Sequence, residues 1–170
     1  MKKLCKLLLV IFMFLGIYTY IPKTYSYEIV TFDEEVNTDA LLLVNPSNDE
    51  ILYDKNKDKV LPMASTTKIM TYAIVVDYIE DLENTYIEVK QTSIDKISGL
   101  GASTAGFQYH IGEKFSALDL LRGMMIPSGC EVAQILADYI EDTYKIDFVD
   151  KMNEKAQMLK MNNTIYIDPH

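Results

Sequence analysis

Across residues 65–79 only Lys68 and Asp77 carry a charge. The pattern predicts a helix that is apolar on nearly every side, and such a helix is stable only when the rest of its domain wraps around it. That requirement limits the chain to folds with one deeply buried helix, and the neighbouring segments are the elements available to cover it.

Residues 40–44 form a continuous apolar run, Asn45, Pro46, Ser47, Asn48 and Asp49 are dense in turn formers, and Ile51, Leu52 and Tyr53 resume the apolar pattern. This predicts a hairpin with one well-buried strand. Residues 54–59 read as a charged loop, and Ile87 and Val89 alternate with Glu88 and Lys90 in a short strand-like piece. The three glycines within 98–106 predict a loop. Ser116 to Asp119 has the form of a capping box that opens a helix through Met125, which Pro127 and Gly129 end. A second helix carries Val132, Leu136 and Tyr139 at helical spacing, and a third from Asp147 places Val149, Met152, Ala156 and Leu159 on one face. Asn162 and Asn163 then turn the chain into residues 164–167. No repeat, low-complexity tract or linker interrupts this order.

The N-terminus has the layout of an export signal: Lys2, Lys3 and Lys6, an almost wholly apolar run over 7–18, then Pro22 ahead of Ser26. The run is shorter than the roughly 20 residues a membrane span requires. Residues 1–26 are therefore expected to be a cleaved signal peptide, with an uncleaved signal-anchor as the alternative. Either way residues 27–170 are expected on the extracytoplasmic side. Removal of 1–26 cuts the 16 basic residues to 12 against 25 acidic ones, net −13. Nucleic acid is excluded as an expected partner on that balance. Cys5 falls in the signal region, which leaves Cys130 alone with His110 and His170. An internal disulfide is excluded, and neither a metal site nor a cofactor is expected. The 144 residues from 27 to 170 suffice for one domain, or part of one.

Ser65-Thr66-Thr67-Lys68 carries the chemistry. A serine hydroxyl becomes a useful nucleophile when a base removes its proton, and a base three residues later lies on the same helix face. A lysine acts as a base only when neutral, a state favoured by apolar surroundings, and the stretch around Lys68 supplies them. The tetrad alone is a weak signal: a chance Ser-x-x-Lys turns up about once in two chains of this size. Ser93-Ile94-Asp95-Lys96 is a second copy. Pro62 and Ala64 lead Ser65 onto a buried helix, whereas Ser93 reads as part of a polar stretch. Taken as isolated segments, Ser65 also reads as a helix N-cap and Ile126 to Cys130 as a capped turn between helices.

Together the pieces resemble the serine penicillin-binding proteins and β-lactamases, with their Ser-x-x-Lys, Ser-x-Asn and Lys-Thr-Gly signatures. They are most similar to the low-molecular-mass D-alanyl-D-alanine carboxypeptidases, a serine-type peptidase family resembling S11. The likeness runs over 40–170: Pro62-Met63-Ala64-Ser65-Thr66-Thr67-Lys68-Ile69-Met70-Thr71, Leu120-Leu121-Arg122-Gly123-Met124-Met125-Ile126-Pro127-Ser128-Gly129, Met152-Asn153-Glu154-Lys155-Ala156 and Asp168-Pro169-His170. The resemblance implies an α+β fold, an antiparallel sheet flanked by helices, β-lactamase and transpeptidase-like, with its C-terminal strands missing. It implies that 27–170 is part of a carboxypeptidase domain, of a family that removes the terminal D-alanine from peptidoglycan stem peptides through an acyl-enzyme and binds β-lactams as inhibitors, and that this chain is expected to be inactive through truncation before the site is complete. Ser65 would be the nucleophile, Lys68 its base and Ser128 the proton relay. Gly129 and Cys130 would border the substrate, and the Ser65 N–H would give half of an oxyanion hole.

This sequence departs from that pattern at two points. Cys130 stands where the family has Asn, which removes an amide that both donates and accepts; a plain buried thiol is the other reading of this residue. No Lys-Thr-Gly follows Ser128. Membrane association is expected only through the N-terminal segment or a C-terminal anchor beyond residue 170. Two other functions stay open: a non-catalytic remnant or wall-binding module, favoured by both departures, and a class A-like β-lactamase, disfavoured by Ser-Gly-Cys in place of Ser-Asp-Asn.

Overall fold

A computed structural model describes residues 36–170; the expected signal segment 1–26 and Cys5 lie outside the described residues. The chain divides into two compact units, before and after residue 60.

In the first unit, β1 (Leu41–Asn45) pairs antiparallel with β2 (Glu50–Lys55), and a register shift falls between Leu43 and Val44. The turn forms where the turn residues cluster, with Asp49 in the left-handed region at φ 57°. Leu42, Leu43, Val44, Ile51 and Leu52 are all exposed. The expectation of one well-buried strand is therefore corrected. Two strands can shield neither of their own faces, so the apolar run signals a surface that needs a cover rather than one that has it.

The second unit holds the core. A 3-10 turn (Ala64–Thr66) runs directly into α1 (Thr67–Tyr78), which the sequence marks as the buried helix. It buries Lys68, Met70, Thr71, Ile74 and Val75 and ends where Ile79 turns extended. Next come β3 (Tyr86–Glu88), α2 (Gln91–Ile97) and a 3-10 turn (Phe107–Tyr109). The unit continues with β4 (Lys114–Ser116), α3 (Ala117–Met125), α4 (Cys130–Tyr144) and α5 (Phe148–Met158). β3 and β4 pair antiparallel, with Ile87 opposite Phe115. The architecture is α+β, and its strands form two-stranded antiparallel ladders among the described residues.

α4 is the axis of this unit. α1, α2, α3, α5 and β3 all pack on it, and Val132, Leu136 and Ile140 are sealed from solvent together with Val75, Leu120, Met124 and Met152. Truncating one of these, such as Leu136→Ala, costs about 2–5 kcal/mol by lost burial plus the cavity left behind. Ser116 caps α3 as read, its Oγ accepting the Asp119 N–H at 3.1 Å, but the box is not reciprocal: the Asp119 carboxylate accepts from the Ser116 hydroxyl at 2.8 Å. Asp147 caps α5 through the Asp150 N–H.

Two further departures from the sequence reading appear. The supposedly polar stretch around Ser93 is the short helix α2, with Ser93 and Ile97 buried. Leu159, placed on the packing face of the last helix, is instead its exposed C-cap. The end of the chain is tied back by polar contacts. Asn153 bonds both backbone groups of Tyr166 at 2.9 Å, and Thr71 Oγ1 donates to the Pro169 carbonyl at 2.5 Å.

Candidate active site

The 3-10 turn ahead of α1 sets the position of Ser65. Ala64 takes a positive φ of 47°, Thr66 closes the turn onto the Met63 carbonyl, and α1 starts one residue later. Ser65 is exposed, one turn before Lys68, whose stem runs into the core. The N-cap of α1 is Thr66, without a side-chain cap bond, so Ser65 does not spend its hydroxyl on capping.

Lys68 is 2% exposed. Its Nζ donates to Ser65 Oγ at 3.3 Å and to Cys130 Sγ at 3.2 Å. No carboxylate among the described residues comes within ion-pair reach of it. Ser128 Oγ donates to Ser65 Oγ at 2.9 Å. Ser65 Oγ thus receives two hydrogen bonds from groups 3 and 63 residues away in sequence. At these distances an amine can accept a proton from a hydroxyl and a second hydroxyl can pass one onward.

Ser128 lies between α3 and α4 with φ at 63°, a left-handed conformation that non-glycine residues seldom adopt. Gly129 follows as the N-cap of α4, again with no side-chain cap bond, so the capped-turn reading of Ser128 is not what forms. Gly129 is required sterically: a Cβ there would lie 2.9 Å from the Gly123 carbonyl oxygen and 2.8 Å from the Ala105 Cβ. Cys130 is a free, buried thiol, and it also contacts the site as an acceptor for Lys68. All five residues singled out in the sequence, Ser65, Lys68, Ser128, Gly129 and Cys130, therefore meet in one place. The described residues contain no cluster of three or more metal-ligating side chains, and no helix among them is long and apolar enough to cross a membrane.

The sequence reading passed over two residues beside this group. Ser103, in the loop before the second 3-10 turn, donates from Oγ to the Ser128 carbonyl at 2.6 Å, and its own carbonyl accepts the Cys130 N–H at 2.9 Å. Glu131, 1% exposed, lies next to Cys130 and is bonded to the same loop. An acid in a helix's first turn is common enough that Glu131 did not stand out, and Ser103 lies in a loop read only from its glycines.

A family model described as D-alanyl-D-alanine carboxypeptidase, of the S11 peptidases, matches residues 27–170. A carboxypeptidase of that name from Bacillus subtilis, DacF, is 29% identical over 173 aligned positions, covering 99% of this chain and 42% of the relative. The D-alanyl-D-alanine carboxypeptidase of Streptomyces sp. strain K15 is 32% identical, over 71% of this chain and 43% of its own. A mutant of the Streptomyces K15 DD-transpeptidase superposes with a TM-score of 0.72 at 28% identity, covering 79% of this chain and 53% of that one. The D-alanyl-D-alanine carboxypeptidase DacD of Francisella tularensis gives 0.68 at 31% identity, over 84% and 34%. The chain spans well under half the length of the curated relatives it matches.

Proposed function

The chain belongs to the S11 peptidase family of D-alanyl-D-alanine carboxypeptidases, and from that premise we propose that it is a serine-type carboxypeptidase acting on peptidoglycan stem peptides through an acyl-enzyme. The observation that carries this reading is the convergence of Lys68 Nζ and Ser128 Oγ on Ser65 Oγ, at 3.3 and 2.9 Å.

In the first step Ser65 Oγ attacks the carbonyl carbon of the terminal D-Ala–D-Ala bond while its proton moves to Lys68 Nζ. Negative charge develops on the carbonyl oxygen, and the Ser65 backbone N–H donates to it. The C–N bond then breaks, and the proton travels through Ser128 to the departing D-alanine nitrogen. Water attacks the Ser65 ester and loses a proton to Lys68 Nζ, the bond from Ser65 Oγ to the acyl carbon breaks, and that proton returns to Ser65 Oγ as the shortened peptide leaves. Gly129 and Cys130 border the bound peptide. A β-lactam ring opened by Ser65 leaves the same ester, and no small amine departs to make room for water. Residues 1–26 act as an export signal cleaved after Ser26, which puts the site on the cell-wall side of the membrane.

The test is intact-mass spectrometry of the chain after incubation with benzylpenicillin, beside Ser65→Ala. The expected outcome is one covalent adduct in the parent and none in the variant. No adduct in a folded parent that still binds stem peptide would instead assign the chain to non-catalytic wall binding. Rapid release of hydrolysed penicillin would assign it to the β-lactamases.

A further inference from the structure

The Glu131 carboxylate is almost completely enclosed, yet it has no role in the acyl-transfer steps above. Its Oε1 accepts three successive backbone N–H groups, from Ala105 at 2.6 Å, Gly106 at 3.0 Å and Phe107 at 3.3 Å. Its Oε2 is buried without any partner among the described residues. Three amides on one oxygen form an anion-holding nest, and Gly106, at φ 98°, supplies the left-handed turn that aims them inward. A buried polar group satisfied this one-sidedly is costly to keep, so the bend it holds matters to the molecule.

The bend leads directly to the site. Two residues before Ala105, Ser103 clasps the Ser128–Cys130 turn from both sides, with its Oγ on the Ser128 carbonyl at 2.6 Å and its carbonyl on the Cys130 N–H at 2.9 Å. Ser128 needs that clasp, because its φ of 63° is unfavourable for a residue with a Cβ and persists only where neighbours impose it. If the turn relaxes towards negative φ, the Ser128 Oγ swings off Ser65.

We infer that Glu131 and Ser103 are positioning residues for Ser128: Glu131 fixes the 103–107 loop, and the loop, through Ser103, holds Ser128 in the left-handed conformation that aims its hydroxyl at Ser65. Neither residue touches the reacting atoms. The inference rests on the acyl-transfer reading for its effect on rate, and on the fold alone for its effect on the turn.

The experiment compares the parent chain with Glu131→Gln, Glu131→Ala, Ser103→Ala and the Glu131→Ala/Ser103→Ala double variant. Each is measured for the benzylpenicillin acylation rate constant, the preceding non-covalent binding constant and amide hydrogen exchange at 103–107 and 128–130. Gln keeps the accepting oxygen and the shape, so E131Q should acylate at nearly the parental rate. E131A should acylate about 10- to 100-fold more slowly, the range expected when a reacting group is displaced by an ångström or so, with non-covalent binding unchanged. S103A, whose side chain is exposed, should lose rate without unfolding, and the double variant should be no slower than E131A, because the two act in series. The Cys130 amide should exchange faster in E131A and in S103A. Parental rates in E131A and S103A overturn the inference, as do additive losses in the double variant. If the parent forms no adduct, the acyl-transfer reading fails by itself, and exchange decides: an unaltered Cys130 amide in a folded E131A overturns the coupling, and a deprotected one supports it.

Discussion

The chain carries Ser-x-x-Lys twice, and the two copies are built in opposite ways. At Ser65 the hydroxyl is exposed and the amine buried. Lys68 reaches Ser65 Oγ and Cys130 Sγ, and no carboxylate among the described residues. At Ser93 the hydroxyl is buried, at 1% exposure, and the amine of Lys96 lies at the surface. Both side chains are consumed by Asp138, which takes Ser93 Oγ and Lys96 Nζ at 2.7 Å and Gln134 Nε2 at 2.6 Å. A serine whose proton is donated to a buried carboxylate and whose oxygen is itself buried is a strut between α2 and α4, whereas one that meets a buried amine with no carboxylate partner keeps an exposed hydroxyl. The tetrad states only that two groups share a helix face; burial and the presence of a carboxylate decide what they do.

The comparison breaks most sharply at the serines. Ser65→Ala should abolish the penicillin adduct outright, whereas Ser93→Ala should leave it intact and lower stability by about 1–3 kcal/mol, the cost of removing a hydrogen bond to a buried charged acceptor. Intact-mass spectrometry and denaturant unfolding read the two effects, and an adduct surviving in S65A would reverse the assignment of the two tetrads. The lysines come next. Lys68→Met should slow acylation by about 100- to 10,000-fold, the usual contribution of a general base. Lys96→Met, which removes a surface-exposed partner, should cost no more than about 1 kcal/mol of stability and none of the rate. Stopped-flow acylation beside thermal melts would separate them.

A smaller effect is expected at the turn that brings Ser128 in. Gly129→Ala puts a methyl within 2.9 Å of the Gly123 carbonyl oxygen, and the backbone shift that relieves it should cost about 1–3 kcal/mol and slow acylation as Ser128 moves. The smallest concerns the ion pair beside the second tetrad. Lys90 Nζ meets Asp142 at 2.6 Å. The hydrogen bond from Lys90 pulls the Asp142 carboxyl below its usual range, and the hydrogen bond to Asp142 pushes the Lys90 amine up. A lowered acid contributes stability above its unfolded pKa and loses it as pH falls through the folded value; a raised amine contributes below its unfolded pKa and loses it as pH rises through its own. The pair should therefore stabilise between about pH 4 and pH 10. Asp142→Asn should lower the melting temperature slightly inside that window and not below it, and high salt should remove the difference.

Much of the local structure could be read from sequence, because it depends on neighbours along the chain. The buried α1 is visible in its near-absence of charge, α3 in the Ser116 capping box, and the end of α3 in Pro127 and Gly129. α2 was not visible: seven residues with Ser93, Asp95 and Lys96 among them carry no clear apolar period, and the Asp138 carboxylate that Ser93 and Lys96 meet lies on a different helix, more than 40 positions away. The exposure of β1 was misread for a related reason, since an apolar run reports what a strand needs and its surroundings decide what it receives.

The candidate site divides along the same line. Ser65 and Lys68 are three residues apart, so one turn brings them together, and their spacing was legible in sequence; that the turn is a 3-10 turn entered through a left-handed Ala64, ahead of α1, was not. The approach of Ser128 to Ser65, the contact of Cys130 with Lys68, the clasp of Ser103 on the left-handed turn and the hold of Glu131 on the Ala105 end of that loop were decided only by tertiary structure. Those contacts join residues 25 to 63 positions apart. The physical reason is that a hydrogen bond across such a separation exists only after the packing of α1, α3 and α4 has brought its partners together, and no local propensity encodes that packing.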